Sequence, residues 1–162
     1  MKFATLFLVL LLCHTALAHE VVLCDQDDNP VCSISYPSDW QQALTQRDLT
    51  AVSPHKDAWS QIGLMKTATN PQEGLAEFRA VAERLLSDAQ FGDIETVESG
   101  TLLLTGKGTY KEAPVTFCAL AVQASEGRCI GFVFVVDQEV EELYLETIRE
   151  ICATFSLVEQ PE

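Results

Sequence analysis

The stretch that decides the fold is VTFCALAVQASEGRCIGFVFVVD, residues 115–137. Two apolar runs, Val115 to Gln123 and Arg128 to Asp137, flank the turn signal Ala124-Ser-Glu-Gly127, as in a β-hairpin. Both runs are apolar at consecutive positions, for example in Phe132-Val-Phe-Val135. A strand that is apolar on both sides has to be covered on both sides. We therefore expect this hairpin at the centre of a covered sheet.

Weaker patterns on either side of the hairpin predict a further strand and two helices. The strand is expected at Thr101 to Tyr110. Asn70-Pro-Gln-Glu73 begins a helix, because Asn caps it, Pro fits its first turn and Glu returns to the cap. The apolar stripe that follows runs from Leu75 to near Gly92. Gln138 to Thr154 predicts an amphipathic helix, with the preceding aspartate as its cap. The fold class we expect is α+β, an antiparallel sheet covered by helices on both faces (an α/β/α sandwich).

The first eighteen residues have the pattern of a secretory signal peptide. Lys2 precedes the apolar run Phe3 to Leu12, which is too short to span a bilayer, and Ala16-Leu-Ala18 resembles a cleavage site. Cleavage there leaves a single domain, residues 19–162, with nine basic and 24 acidic residues and a formal charge of −15. We expect an acidic, periplasmic or secreted protein without membrane insertion after cleavage. Nucleic acid is not expected as a partner, because its phosphates require clustered Lys and Arg.

Five cysteines remain after that cleavage, at positions 24, 32, 118, 129 and 152. An exported chain meets oxidising conditions, and an odd number leaves one thiol unpaired or shared between chains. Cys24 and Cys32 flank the turn-rich segment Asp25 to Pro30, so we predict a disulfide across this first hairpin. The strand register separates Cys118 and Cys129 by about 13 Å, so both are interpreted as buried thiols. Whether Cys152 pairs with another cysteine stays open.

Several motifs that carry chemistry in other proteins are incomplete here. Asp25-x-Asp27-x-Asn29 has the opening spacing of a calcium loop, but Pro30 and Tyr36 stand where that loop needs Gly and Glu. Gly106-Lys-Gly-Thr109 lacks the upstream glycine of a phosphate-binding loop. The chain contains neither Gly-x-Ser-x-Gly nor Cys-x-x-Cys. We therefore predict no catalytic residues, no bound metal and no cofactor.

Histidine and carboxylate side chains also form no complete motif. His19, as a new amino terminus, could chelate copper together with His55, although a mobile terminus is the simpler interpretation. Pairs of carboxylates arise by chance in a chain with 24 acidic residues. Glu142, Glu146 and Glu150 share one side of the last helix and are interpreted as a solvated surface.

Certain residues, taken with the order of the elements, resemble a known family. These are Tyr36-Pro-Ser-Asp-Trp40 after the first hairpin, Gly106-Lys-Gly-Thr-Tyr110 before the long hairpin, and Ile151-Cys-Ala-Thr-Phe155 at the end of the last helix. The pattern resembles the PsbP-like, Mog-type and DcrB-type proteins over most of residues 19–162. The resemblance implies an antiparallel sheet between helices and a role in binding or assembly instead of catalysis. Some relatives are cytoplasmic chaperones of type VI secretion, from which this chain departs by its signal peptide.

The first functional hypothesis is a periplasmic, non-enzymatic binding protein that neutralises a basic exported partner. Most concretely, it is an immunity protein, for example of type VI secretion, that occludes a toxin degrading the cell wall (peptidoglycan). Acidic surfaces speed association with basic proteins and lose that advantage in salt. The partner-binding residues that we predict lie on two turns: Asp25, Asp27, Asp28, Asn29, Ser125, Glu126 and Arg128.

Two alternatives from other classes stay open at this point. One is an accessory or assembly subunit of an envelope or membrane complex, as the PsbP resemblance implies. The acidity then serves solubility or reflects a saline habitat. The other is a carrier of a metal or small ligand that uses His19 or the Asp25 turn.

Overall fold

The structure, a computed structural model, describes residues 19–25, 27–45 and 47–158. The predicted signal peptide, residues 1–18, lies outside the described residues. The strands are β1 (His19–Cys24), β2 (Pro30–Tyr36), β3 (Gln41–Leu44), β4 (Asp48–Val52), β5 (Ala58–Leu64), β6 (Ser87–Glu98), β7 (Thr101–Tyr110), β8 (Ala113–Ser125), β9 (Arg128–Asp137) and β10 (Ser156–Leu157). The helices are α1 (Pro71–Leu85) and α2 (Glu141–Thr154), the latter preceded by a 3-10 turn, Gln138–Val140.

The strands form two antiparallel sheets. The larger sheet has seven strands in the order β3-β4-β5-β9-β8-β7-β6, and the smaller has the order β1-β2-β10. The hairpin of β8 and β9 therefore lies in the interior of the large sheet, as its apolar sequence predicts. The described chain is mostly antiparallel sheet with two helices. None of the described helices is long and apolar enough to cross a membrane.

Side chains of β9 divide between two apolar clusters. Ile130, Phe132 and Phe134 are buried in the first cluster, together with residues of the small sheet and Ile151 of α2. Val133 packs against the second cluster, which contains Leu75 of α1. Successive residues of a strand point to opposite sides, so one strand serves both clusters.

Helix α1 begins as the sequence predicts and ends earlier. The Asn70 side chain accepts a hydrogen bond from the Glu73 amide at 3.0 Å. Glu73 accepts from the Thr69 amide at 2.8 Å, one residue before the cap amide that the sequence predicts as its partner. The predicted extension of this helix to Gly92 is wrong, because the helix ends at Leu85 and the chain continues as edge strand β6. The stripe of apolar residues does not distinguish a last helical turn from a strand that pairs with β7.

The start of α2 also differs from the expectation. Asp137 makes no side-chain capping hydrogen bond, so its predicted role as a helix cap is wrong. The 3-10 turn Gln138–Val140 separates it from the helix, which begins at Glu141. The remainder of the helix ends at Thr154, as expected.

The structure contains no disulfide between Cys24 and Cys32, the pair predicted from the sequence. The five cysteines in the described part of the chain are all free thiols. An irregularity after Leu23 places Leu23 opposite Cys32, and Cys24 opposite Pro30. Because neighbouring residues of a strand point to opposite sides, Cys32 lies in the core while Cys24 is half-exposed.

Candidate partner-binding site

Asp25 organises the turn between β1 and β2. One carboxylate oxygen accepts the backbone amides of Asp27 at 2.9 Å and Asn29 at 3.0 Å. The Asn29 side-chain amide contacts the same carboxylate. Aspartate forms such turns because its short side chain reaches amides two and four residues ahead. Asp25 is 8% exposed, so its carboxylate holds the turn together from inside.

An ion pair joins this turn to the β8–β9 hairpin. The guanidinium of Arg128 lies 2.9 Å from the second carboxylate oxygen of Asp25. These residues are 103 positions apart in the sequence. The structure thus brings together the two loops that the sequence proposes as partner-binding. We call residues 25, 27–29 and 125–128 the loop platform.

The remaining predicted residues are exposed on the loop platform. Asp27, Asp28 and Asn29 are exposed on the first loop. Ser125 and Glu126 are exposed on the second, where Gly127 supplies the positive φ of 70° that the tight turn requires. Asp25 and Arg128 neutralise each other, so the exposed charge of the loop platform is negative.

A hollow of about 300 Å³ lies between the loops, and two further basic side chains line it. Arg47 and Lys66 line it together with Asp25, Asp27 and Arg128. Arg47 precedes β4 and Lys66 follows β5, and both are distant from the two loops in the sequence. No local pattern in the sequence therefore indicates that either belongs to the site. The site is therefore a rim of exposed carboxylates around a hollow that is lined by basic side chains.

Hydrogen bonding lowers the pKa of Asp25 below its usual 3.8. The Asn29 amide is the largest cause, with the Asp27 amide and the Arg128 guanidinium acting in the same direction, while desolvation opposes them. The carboxylate is therefore ionised wherever the protein is folded near neutral pH. The turn and the ion pair are both present under those conditions.

The other candidate groups lie apart from the loop platform. His55 is exposed in the turn between β4 and β5, and His19 begins β1. Within residues 19–25, 27–45 and 47–158, no group of three His, Cys, Asp or Glu side chains is placed to hold a metal ion. The Asp25 oxygens, which a calcium loop would use as ligands, accept amide and guanidinium protons.

Searches against known families and curated proteins gave no match to the sequence. Solved structures are similar in fold. Cyanobacterial PsbP (CyanoP) of Synechocystis matches with a TM-score of 0.59 at 13% identity, over 90% of this chain and 95% of that one. LpqN of Mycobacterium tuberculosis is described as involved in cell envelope biogenesis. It matches with a TM-score of 0.58 at 12% identity, over 88% of this chain and 92% of that one. A Pseudomonas aeruginosa protein of unknown function, PA94, matches with a TM-score of 0.54 at 14% identity, over 89% of this chain and 99% of that one. The chain therefore has a PsbP-like fold.

Proposed function

We propose that this chain is an exported, non-enzymatic binding protein whose loop platform contacts a basic partner protein. The observation that carries the proposal is the 2.9 Å ion pair between Asp25 and Arg128. It joins two loops, distant in sequence, into one preorganised surface with exposed carboxylates from Asp27, Asp28 and Glu126. Preorganised loops lose less conformational entropy on binding.

Charge is the second argument for a basic partner. Residues 19–162 carry a formal charge of −15, which attracts basic proteins over a distance that salt shortens. The hollow adds specificity, since Arg47 and Lys66 are complementary to an acidic side chain of the partner. The matching surface is one acidic group surrounded by basic ones.

The partner that we infer is an exported enzyme that degrades the cell wall. Enzymes that act on an anionic wall are commonly basic. Insertion of the loop platform into the enzyme's substrate cleft would block access, and the chain would then be an immunity protein located in the periplasm or outside the cell.

An accessory subunit of an envelope complex is the second candidate. The similarity in fold to LpqN, described as involved in cell envelope biogenesis, favours it. The structure also has a long edge strand, β6, that exposes Ile94 and Val97 at 55% and 58%. Such an edge can add a strand from another subunit.

We also infer that α1 and α2 lie on opposite faces of the large sheet. A Cβ at Gly131 would meet the ring of Phe78 in α1. Its neighbours Ile130 and Phe132 are in the cluster that contains Ile151 of α2.

The test is capture of partners by residues 19–162 from envelope and secreted fractions of the native host, at low and moderate salt. We expect one basic wall-degrading enzyme, with its activity blocked in the complex. The triple variant Asp27→Asn, Asp28→Asn, Glu126→Gln should lower its association rate, and Glu142→Gln, Glu146→Gln, Glu150→Gln on α2, which removes the same three charges, is the control. Capture of a membrane complex would favour the accessory role. No capture at either salt, or equal effects of both variants, would contradict the proposal.

A further inference from the structure

An apolar groove lies between α1 and the middle of the large sheet, apart from the loop platform. It has a volume of about 380 Å³, within the range of small-molecule sites. Its floor comes from β5, β8 and β9, and one wall comes from α1. The residues that shape it are Trp59, Val133, Val135, Phe117, Phe78 and Leu85.

The groove is open because α1 covers only part of the sheet. Its buried residues, Pro71, Gly74 and Leu75, all belong to its first turns. Farther along the helix, Val81 is 39% exposed and Leu85 is 57% exposed. The second half of α1 therefore presents apolar side chains beside an uncovered strip of β5 and β9.

Two paired glycines form part of the floor. Gly63 of β5 lies opposite Gly131 of β9. A Cβ at Gly63 would meet the carboxylate of Asp48, and one at Gly131 would meet the ring of Phe78 at 2.7 Å. The lack of side chains at this pair lets the Asp48 carboxylate and the Phe78 ring lie close against the floor.

The groove is acidic at one end. The charged residues that line it are Asp48, beside Gly63, and Glu77, the neighbour of Phe78. Neither belongs to the ion pairs found in the described part of the chain, which are Arg79–Glu83, Arg128–Asp25 and Arg149–Glu146. Glu77 accepts a hydrogen bond from the Thr67 hydroxyl. This end is complementary to a cation.

The other end of the groove is aromatic. Trp59 lies four residues before Gly63 along β5, a distance of about 13 Å. In the sheet it is flanked by Val52 on β4 and Val135 on β9. Tyr110 also lines the groove, and the ammonium of Lys111 lies 5.1 Å from its ring centre. A ligand that fits has a cationic head and an apolar body of about this length.

We propose that this groove binds a small cationic amphiphile, an ammonium or amidine group that carries an apolar tail. The head would lie between Asp48 and Glu77, and the tail would extend along β5 and β9 towards Trp59. Ion pairing fixes the direction of the ligand, and burial of the tail supplies most of the affinity. The groove adjoins the hollow of the loop platform through Leu64 and Met65, but none of the loop platform residues lines it.

Dodecyltrimethylammonium is a suitable probe below its micelle concentration, with dodecyl sulfate and dodecyl maltoside as controls of equal tail length. Binding would be followed by calorimetry and by the fluorescence of Trp59, with Trp59→Phe giving the contribution of buried Trp40. We expect one cationic molecule per chain, bound about tenfold more tightly than the sulfate. Asp48→Asn, Glu77→Gln should weaken binding about fivefold, as expected of two partly exposed ion pairs.

Matched variants separate this site from diffuse attraction. Glu142→Gln, Glu146→Gln removes the same charge from exposed positions of α2 and should leave binding unchanged. Leu85→Ser should weaken binding about threefold, whereas Leu143→Ser, at a 76% exposed position of α2, should not. Equal effects within either matched comparison, equal binding of the sulfate, or no saturable binding by folded protein would overturn the proposal.

Discussion

The hydrogen bond between Tyr36 and Ser60 provides a sharp test of how the two sheets are held together. Ser60 on β5 donates to the Tyr36 hydroxyl on β2 at 2.7 Å. Both residues are 0% exposed. Among the described residues, no buried side-chain nitrogen or oxygen lacks a partner. Removing one of these hydroxyls would therefore leave an unpaired group in an otherwise apolar core.

The expected cost follows from that burial. Ser60→Ala leaves the Tyr36 hydroxyl unpaired, and Tyr36→Phe leaves the Ser60 hydroxyl unpaired, so each should lower the free energy of unfolding by about 1–3 kcal/mol. The double variant leaves no unpaired group. It should cost no more than either single variant, which corresponds to a coupling of about 1–3 kcal/mol.

Urea denaturation of the four proteins measures these differences. The midpoint should shift while the m-value stays constant, which shows that stability and not the denatured state has changed. Tyr110→Phe, at a half-buried position of β7, is the matched control and should change the stability by less than about 0.5 kcal/mol. A double variant whose loss equals the sum of the single losses would refute the reasoning, because the two hydroxyls would then act independently.

Three further predictions concern local features. Asn70→Ala removes the cap of α1 and should lower the free energy of unfolding by about 1 kcal/mol in the same assay; an unchanged midpoint would contradict the capping role. The pKa of Asp25 is held below its usual 3.8, chiefly by the Asn29 amide, so its contribution to stability is fully present above pH 3.8 and is lost as the pH falls through the lower folded-state value. The protection of the Asn29 amide against exchange, relative to an unstructured peptide at the same pH, should fall only in that acidic window, and Asp25→Ala should remove it at every pH. A thiol titration of denatured residues 19–162 should count five thiols, whereas a Cys24–Cys32 disulfide would leave three. In the native state, burial raises the pKa of Cys32 to about 12, so this thiol should be unreactive.

Local patterns in the sequence predicted much of the sheet. The bounds of β7 and β9 agree with the predicted strands, Thr101–Tyr110 and Arg128–Asp137. The turn at Glu126 and Gly127 was also predicted correctly. These elements carry strong local signals, because the apolar runs are long and glycine marks the turn.

Errors arose where two neighbouring elements share one apolar pattern. The stripe of α1 continues into β6, whose Phe91 packs against Phe117 of β8 with ring centres 5.8 Å apart. That contact exists only after β6 has paired with β7. The disulfide was predicted from spacing in the same way, and the irregularity after Leu23 places Cys24 and Cys32 out of register.

The candidate site also combines features that local sequence patterns predict with contacts between distant segments that they do not. The sequence identified the two loops, since turn residues and exposed acids are local signals. It contained no sign that Asp25 pairs with Arg128 or that Arg47 and Lys66 lie between the loops. Those contacts depend on the order of strands in the sheets.

The sequence by itself determined the strand hairpin at the centre of the sheet, the start of α1 and the acidic character of the protein. Each of these depends on neighbouring residues or on composition. Only the tertiary structure decided that β6 is a strand, that the loops meet in one platform and that Gly63 faces Gly131 beneath α1. Pairing between distant segments sets these features, because the burial and hydrogen bonds that stabilise them exist only when the whole sheet has formed.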